Sequence, residues 1–164
     1  TIAPFINYSK NHIGTKSVPT PDRWIYDNIL NTRTIGLDFH STLSLNWLNI
    51  VGNYSWVDAI NSDTEESLEG ISEHYGSLFL SSKWRFIAPY LMVTFRSDEL
   101  QRDFDGELIT IPGYELVTAG IKITPWEPIS FSLRVDNLLD KEYYLRDMVE
   151  GRPREGKLDV EVSF

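Results

Sequence analysis

Apolar and polar side chains alternate with a period of two along most of the chain. In the segment KLDVEVSF the apolar positions are Leu158, Val160, Val162 and Phe164, and every position between them is polar or charged. Such alternation places successive side chains on opposite faces of a β-strand, and helical periodicity is almost absent. The pattern therefore predicts an all-β fold whose strands have one apolar and one polar face.

The alternation predicts eight antiparallel strands separated by polar or turn-forming segments. They lie at about 1–9, 30–43, 46–58, 75–86, 90–97, 114–123, 128–140 and 157–164. Short links are predicted near 43–46, 87–90 and 124–127, and long polar links near 10–29, 59–74, 98–113 and 141–153. Short turns at one end of the strands and long loops at the other are typical of an outer-membrane β-barrel.

A soluble β-sandwich is the other interpretation of the same alternation, because its apolar face would form a core and its charged face would meet water. Two features favour a transmembrane barrel. Several of the predicted strands are longer than the usual five or six residues of globular proteins. Aromatic residues also collect near the predicted strand ends, as in the interface girdles of membrane proteins. These residues include Tyr54, Trp56, Trp84, Phe86, Tyr90, Trp126, Tyr143 and Tyr144.

Composition narrows the possible partners and sites. The chain has 164 residues, no Cys and a formal net charge of −9, which argues against nucleic-acid binding. No stretch approaches the ~20 apolar residues of a membrane-spanning helix. The three His residues are dispersed, and neither a zinc-site pattern nor a G-x-S-x-G or glycine-rich phosphate motif occurs. We therefore expect neither an enzyme nor a cofactor or metal site.

Two acidic loops account for the charge, since residues 61–74 carry −5 and residues 98–107 carry −4. One interpretation is that these loops are solvated surface, and the other is that they attract a cationic or metal-bearing ligand. Trp24 and Tyr26 in the first long link are candidates to stack on a ligand or to pack within the loop. The candidate ligand-facing residues are Trp24, Tyr26, Asp63, Glu65, Glu66, Asp103 and Asp105.

The segment NLLDKEY at 137–143, followed by PREGKLDVEVSF, resembles the C-terminal end of a TonB-dependent outer-membrane receptor. In that family the penultimate strand ends in Asn-Leu-(Phe/Leu)-Asp-Lys-x-Tyr, and the last strand ends in Phe. Upstream, NTRTIGLDF (31–39) and VGNYSWVDA (51–59) resemble further family segments in the expected order. The matching residues of the terminal motif are Asn137, Leu138, Leu139, Asp140, Lys141, Tyr143 and Arg154.

The residues of this motif also have an expected local role at the end of a strand, independent of the resemblance. Asn137 and Asp140 fall where a strand ends, and their side-chain oxygens are expected to accept bonds from freed backbone N–H groups. Tyr143 is expected to anchor at the membrane interface. The resemblance implies that Leu158, Val160, Val162 and Phe164 form the signal read by the barrel assembly machinery.

The resemblance implies that residues 1–164 are the C-terminal part of a 22-stranded barrel, with the plug domain and N-terminal strands absent from this chain. It also implies a Gram-negative outer-membrane transporter that takes up an iron–siderophore, cobalamin, haem or glycan ligand with energy from TonB. TonB would act through the plug, and lipid and lipopolysaccharide would surround the barrel. The alternatives are a stand-alone eight-stranded barrel acting as an anchor or adhesin, and a soluble β-rich binding module.

Overall fold

The computed structural model describes residues 1–17, 24–103, 107–126 and 128–162, and the side chains of these residues apart from those of 11–30. All regular secondary structure in these ranges is β. No described segment forms a helix long and apolar enough to cross a lipid bilayer.

Eight long strands form one sheet in which each strand pairs antiparallel with its neighbours. These strands are β1 (Ile2–Ser17), β2 (Trp24–Ser44), β3 (Leu48–Asn61), β4 (His74–Ser82), β5 (Ile87–Arg96), β8 (Tyr114–Trp126), β9 (Ile129–Asp136) and β12 (Glu155–Val162). Two small hairpins interrupt the series: β6 (Glu99–Arg102) pairs with β7 (Leu108–Ile111), and β10 (Tyr144–Arg146) pairs with β11 (Val149–Glu150). Among the described residues no ladder joins β1 to β12, so the sheet is open at both edges.

The register places the alternating apolar residues on one continuous face of the sheet, as predicted. In an antiparallel sheet directly opposed residues share a face. Leu78 pairs with Val93, which pairs with Val117. In the same way Ile121 pairs with Leu133, which pairs with Leu158. We call this the apolar face, and the opposite one, which carries Lys122, Arg134, Asp136, Asp159 and Glu161, the polar face.

The apolar face is not covered by a second layer in the described part of the chain. Leu133 and Leu158 both lie on the apolar face, and their side chains are 48% and 71% exposed. The buried apolar residues within the described ranges are only Val57, Ala59 and Ile111. A soluble protein rarely presents so large an apolar surface to water, whereas lipid covers such a face in a membrane barrel.

Loop lengths follow the predicted asymmetry. The short connections between β2 and β3, β4 and β5, and β8 and β9 lie at one end of the sheet, which we call the turn end. The long connections lie at the other, the loop end. Each short connection has a Trp at or beside it: Trp47, Trp84 and Trp126 are 62%, 65% and 60% exposed. Exposed Trp side chains at one level match an interfacial belt.

The predicted end of strand four and the short link predicted near 87–90 were wrong. Strand four ends at Ser82 rather than at residue 86, and Lys83 to Phe86 form the turn. Trp84 and Ile87 exchange backbone hydrogen bonds of 2.8 and 2.9 Å, and Arg85 has a φ of +53°. A two-residue hairpin loop needs a positive φ at its first central position or at both. Lys83 and Arg85 therefore lie in a turn and not on the polar face of a strand.

The prediction of a long loop at 10–29 was also wrong. β1 and β2 remain paired to Ser17 and Trp24, with irregular register near Ser9 and His12. The sequence of this part of the hairpin lacks apolar alternation, which a ladder with water on both faces does not need. Strand seven ends at Asp136 instead of continuing to residue 140, and the long links 98–113 and 141–153 contain the two small hairpins.

Candidate functional site

The terminal motif folds into a compact arrangement where β9 ends. Asn137 is only 5% exposed and has a φ of +48°. Its Oδ1 accepts a hydrogen bond from the Lys141 N–H at 2.9 Å, and its Nδ2 donates to the Lys141 and Arg152 carbonyls at 2.9 and 3.2 Å. The amide group thus links the turn after β9 to the segment that leads into β12.

Asp140 and Tyr143 make the second and third links between these segments. Asp140 Oδ1 accepts from the Arg154 N–H at 3.0 Å, and Asp140 Oδ2 lies 3.4 Å from Arg154 Nη2. The Tyr143 hydroxyl accepts from the Arg152 N–H at 3.2 Å. The expected bonding of the Asn137 and Asp140 oxygens to backbone N–H groups is therefore seen.

The ring of Tyr143 packs beside Gly151 and 4.5 Å from the ring centroid of Tyr114. We call Asn137, Asp140, Tyr143, Gly151 and Arg154 the strand-end cluster, because together they fix how the chain enters β12. Of the other motif residues, Leu138 and Leu139 are exposed, and the Lys141 ammonium forms an ion pair with Glu115.

The terminal strand presents its predicted apolar residues on the apolar face. Leu158, Val160 and Val162 pair with Leu133, Phe131 and Ile129 of β9. Phe164 lies outside the described residues. The other edge of β12 has no partner strand within the described ranges.

At the loop end, Glu99 is buried, although the sequence counted it among the acidic residues of a solvated loop. Its side chain is 5% exposed and lies 3.2 Å from Arg96 Nη2. The Ser72 hydroxyl donates to Glu99 Oε2 at 3.1 Å, and the Gln101 amide donates to Oε1. Burying a carboxylate is costly unless it is paired and hydrogen-bonded, and Glu99 is both.

Further contacts join the connection 62–73 to the β6–β7 hairpin. The Gly70 N–H donates to the Leu100 carbonyl at 2.7 Å, and Glu69 forms an ion pair of 2.8 Å with Arg102. The β10–β11 hairpin reaches the same region through the Asp147 N–H, 3.4 Å from Gln101 Oε1. Sequence reasoning missed this network because its members are distant in the chain and no short motif marks them.

The predicted ligand-facing residues do not converge. Trp24 and Tyr26 lie in β2, opposite Ser17 and Thr15, and their side chains are outside the described part. Asp63 accepts both its bonds from the Asn31 amide, at 3.1 and 3.0 Å.

The remaining predicted loop residues are similarly local. Glu65 has a positive φ, and Glu66 Oε2 accepts from the Thr64 hydroxyl at 3.2 Å. Asp103 Oδ1 accepts from the Glu107 N–H at 2.8 Å, and Asp105 lies outside the described residues. Among the described side chains, no group of three or more His, Asp or Glu residues could hold a metal ion.

A groove of about 450 Å³ lies at the loop end of the polar face. Its wall contains a row of three residues on adjacent strands, since Tyr75 pairs with Arg96 and Arg96 pairs with Tyr114. The Arg96 guanidinium lies 4.9 Å from the Tyr114 ring centroid, in cation–π geometry. Small polar side chains complete the polar wall, namely Asn53, Ser55, Ser77 and Thr94. The sequence signal for this groove was aromatic residues at polar-face positions of strands four and six.

The polar face of β8, β9 and β12 carries paired charges from the turn end to the loop end. Lys122 Nζ lies 3.0 Å from Glu161 Oε2, and Arg134 Nε lies 2.7 Å from Asp136 Oδ1. Lys157 Nζ adds a second contact to Asp136, at 3.4 Å. These ion pairs cross β8, β9 and β12, so the polar face is charged but locally balanced.

Comparison with known proteins assigns the chain to a protein family. Residues 1–138 match the family model described as TonB dependent receptor-like, beta-barrel. The chain belongs to the TonB-dependent receptor β-barrel family. Among curated proteins no sequence relative matches.

TonB-dependent receptors of known structure share the fold of the chain. The ferripyoverdine receptor of the Pseudomonas aeruginosa outer membrane matches 97% of the chain with a TM-score of 0.79 and 17% identity. The ferric-catecholate import receptor Fiu of E. coli K12 matches 97% with a TM-score of 0.77 and 19% identity. The ferric citrate transporter FecA matches 97% with a TM-score of 0.77 and 20% identity. The chain spans only 24%, 24% and 27% of these three structures.

Proposed function

We propose that the chain is the C-terminal part of the barrel of an outer-membrane active transporter for a scarce ligand of the iron–siderophore class. The observation that carries this proposal is a single-layer sheet with one exposed apolar face and one charged face, in a chain of the TonB-dependent receptor family. Three similar structures are described as a ferripyoverdine receptor, a ferric-catecholate import receptor and a ferric citrate transporter. Cobalamin, haem and glycan ligands are the other classes.

The remainder of the receptor would complete the barrel. β1 and β12 each have one unpaired edge, and an unpaired backbone group in hydrocarbon costs several kcal/mol. Further strands of a 22-stranded barrel would satisfy both edges. A plug domain would then occupy the space in front of the polar face and transmit energy from TonB.

Two alternatives are less well supported. A closed eight-stranded anchor or adhesin requires a ladder between β1 and β12, which the described strands lack. A soluble β-rich module requires a cover for the apolar face, where Leu158 is 71% exposed. Salt extraction of cell envelopes distinguishes the soluble module from either kind of membrane barrel, since a soluble module would leave the membrane without detergent.

Partners other than the ligand follow from the same proposal. Lipid would cover the apolar face, lipopolysaccharide would meet its loop end, and the barrel assembly machinery would read Leu158, Val160, Val162 and Phe164. Receptor lacking Phe164 is then expected to remain unassembled in the periplasm. Normal surface display of that variant would contradict the assembly role.

Uptake by the complete receptor tests the transport function. The full gene is expressed in a Gram-negative host that lacks its own ferric-siderophore receptors, and uptake of radioactive iron is measured with a panel of ferric chelates. Iron should accumulate with at least one chelate and only in a host with intact TonB. Failure with the whole panel, with receptor present and folded in the outer membrane, would refute the siderophore class.

A further inference from the structure

Three apolar side chains interrupt the polar face in direct register. Val51 pairs with Phe79, and Phe79 pairs with Met92. Met92 in turn pairs with Thr118, whose hydroxyl donates to the polar-face residue Asp136 at 3.1 Å. We call Val51, Phe79 and Met92 the inner apolar row, because the polar face of a membrane barrel lines its interior. The rows on either side of it are polar apart from one aromatic ring, namely Asn49, Ser81 and Tyr90 on one side and Asn53, Ser77 and Thr94 on the other.

The aromatic ring of Tyr90 extends this surface toward β8. It is tilted against the Phe79 ring, with 5.8 Å between the ring centroids. It also occupies the space beside Gly120, where the Cβ atom of any other residue would overlap it. None of the row residues is buried by the described part of the chain, and neither is Tyr90. Together they form an apolar surface that faces the interior.

Apolar residues on the same face of β3 nearer the loop end are covered by the chain itself. Val57 and Ala59 are 8% and 6% exposed. The connection 62–73 runs beside this part of β3, where the Leu68 N–H donates to the Ala59 carbonyl at 2.9 Å and the Val57 N–H donates to the Glu73 carbonyl at 2.8 Å. The inner apolar row has no such cover among the described residues, and apolar surface left in water is unfavourable. We therefore expect another part of the receptor to cover it.

A hollow of about 530 Å³ lies beside the row at the turn end and carries positive charge. Phe79 and Tyr90 form part of its wall, together with Lys83 and Lys122. Lys122 is paired with Glu161, whereas Lys83 is exposed and has no ion-pair partner within the described ranges. No Asp or Glu is among the described residues that line the hollow. The surface therefore suits a segment that presents an apolar side chain next to a carboxylate.

We propose that the inner apolar row is a contact surface for the plug domain, and that an apolar plug side chain with a neighbouring Asp or Glu packs there against Phe79, Met92 and Tyr90. This inference rests on the proposed transport function. Lipid does not reach the interior of a barrel, and the chain spans only 24% of the ferripyoverdine receptor structure, which leaves the length of a further domain outside it. The same face of β8, β9 and β12 carries ion pairs such as Lys122–Glu161, which are stable in contact with water. The plug is therefore held more firmly against β3, β4 and β5 than against β8, β9 and β12.

Photo-crosslinking in the full-length receptor identifies the residues that face the row. Phe79 is replaced by the photoreactive amino acid benzoylphenylalanine, cells are irradiated, and cross-linked peptides of the purified receptor are identified by mass spectrometry. A cross-link to the segment that precedes the barrel strands is expected. The same replacement at Phe131 is the matched control, because Phe131 is 38% exposed on the apolar face and should give no cross-link to that segment. Cross-links from position 79 to other barrel strands alone would overturn the plug contact.

Protease sensitivity of the plug tests the same contact by its strength. Phe79→Ser and Met92→Ser should each speed cleavage of the plug in moderate urea about tenfold, because an apolar contact that opposes local opening is lost. The heat-dependent mobility shift reports whether the barrel itself stays folded. Thr94→Ser is the control, because Thr94 lies on the same face in the adjacent polar row.

Unchanged cleavage in both row variants would overturn the plug contact, and iron uptake by the wild-type receptor would then leave the transport function intact. A receptor that has no plug segment and takes up none of the ferric chelates would instead refute the proposed function together with the plug contact.

Discussion

The ring of Tyr143 occupies the space directly beside Gly151, where the Cβ atom of any other residue would overlap it. The Gly151 N–H also donates to the Tyr143 carbonyl at 2.8 Å. Two segments on either side of the β10–β11 hairpin are thereby held together at the base of that hairpin. Because Tyr143 also accepts from the Arg152 N–H, its position determines how the chain enters the terminal strand.

Replacement of Gly151 by Ala should therefore destabilise the receptor. The added methyl group must displace the Tyr143 ring, and overpacking of this kind costs about 1–3 kcal/mol. Folding is measured by the heat-dependent shift in electrophoretic mobility of outer-membrane barrels and by urea unfolding in detergent. Gly156→Ala is the control, because nothing lies within 4 Å of a Cβ atom at that position. Equal stability of the two variants would show that the ring adjusts freely.

Asn137→Asp tests the amide at the centre of the strand-end cluster. The carboxylate retains an acceptor for the Lys141 N–H, but it places an oxygen where Nδ2 donates to the Lys141 and Arg152 carbonyls. Losing two buried hydrogen bonds in this way should cost about 2–3 kcal/mol. The urea midpoint of the purified receptor measures the loss.

Asn46→Asp makes the same chemical change in an exposed turn at the opposite end of the sheet. It should leave the urea midpoint within experimental error of wild type. If Asn137→Asp is equally harmless, the buried amide does not hold the entry to β12.

The strands with one apolar and one polar face were the most predictable part of the fold. Two faces of opposite character impose a strict period of two, and residues such as Leu133 and Leu158 follow it. The extension of β1 and β2 beyond residue 9 was missed because its sequence lacks this alternation, which a strand with water on both faces does not need.

Interactions between loops were not predictable for a different reason. Glu99 and Ser72 are 27 residues apart, and neither lies in a pattern that distinguishes it from a solvated loop residue. The turn at Arg85 was misplaced because apolar Trp84 and Phe86 continue the alternation of β4 through the turn. By contrast, the roles of Asn137 and Asp140 were accessible, because side-chain capping of a strand end is a local interaction.

Glu99→Gln should loosen the outer loops while leaving the barrel wall intact. The amide cannot form an ion pair with Arg96, and breaking a buried ion pair by changing one partner costs about 3 kcal/mol or more. Glu99 also accepts from the Ser72 hydroxyl and so joins the connection 62–73 to the β6–β7 hairpin. With its ion pair lost, these segments should become accessible to protease added to intact cells.

Glu66→Gln serves as the control, since Glu66 is exposed in the same connection and bonds only to Thr64 among the described side chains. Cleavage rates of this variant should match wild type. Unchanged protection of Glu99→Gln would indicate that the backbone bond from Gly70 to Leu100 and the Glu69–Arg102 pair suffice.

The orientation of the sheet in the membrane can be tested at two adjacent residues of β9. Leu133 lies on the apolar face between Ile121 and Leu158, and Ser132 lies on the polar face between Lys122 and Asp159. An Arg at Leu133 would enter hydrocarbon, which costs about 2–4 kcal/mol near the middle of the bilayer, whereas an Arg at Ser132 would meet the polar interior. Leu133→Arg should therefore reduce the amount of folded receptor in the outer membrane, and Ser132→Arg should assemble nearly normally. The opposite result would place lipid against the charged face, because only the direction of the side chain differs between the two variants.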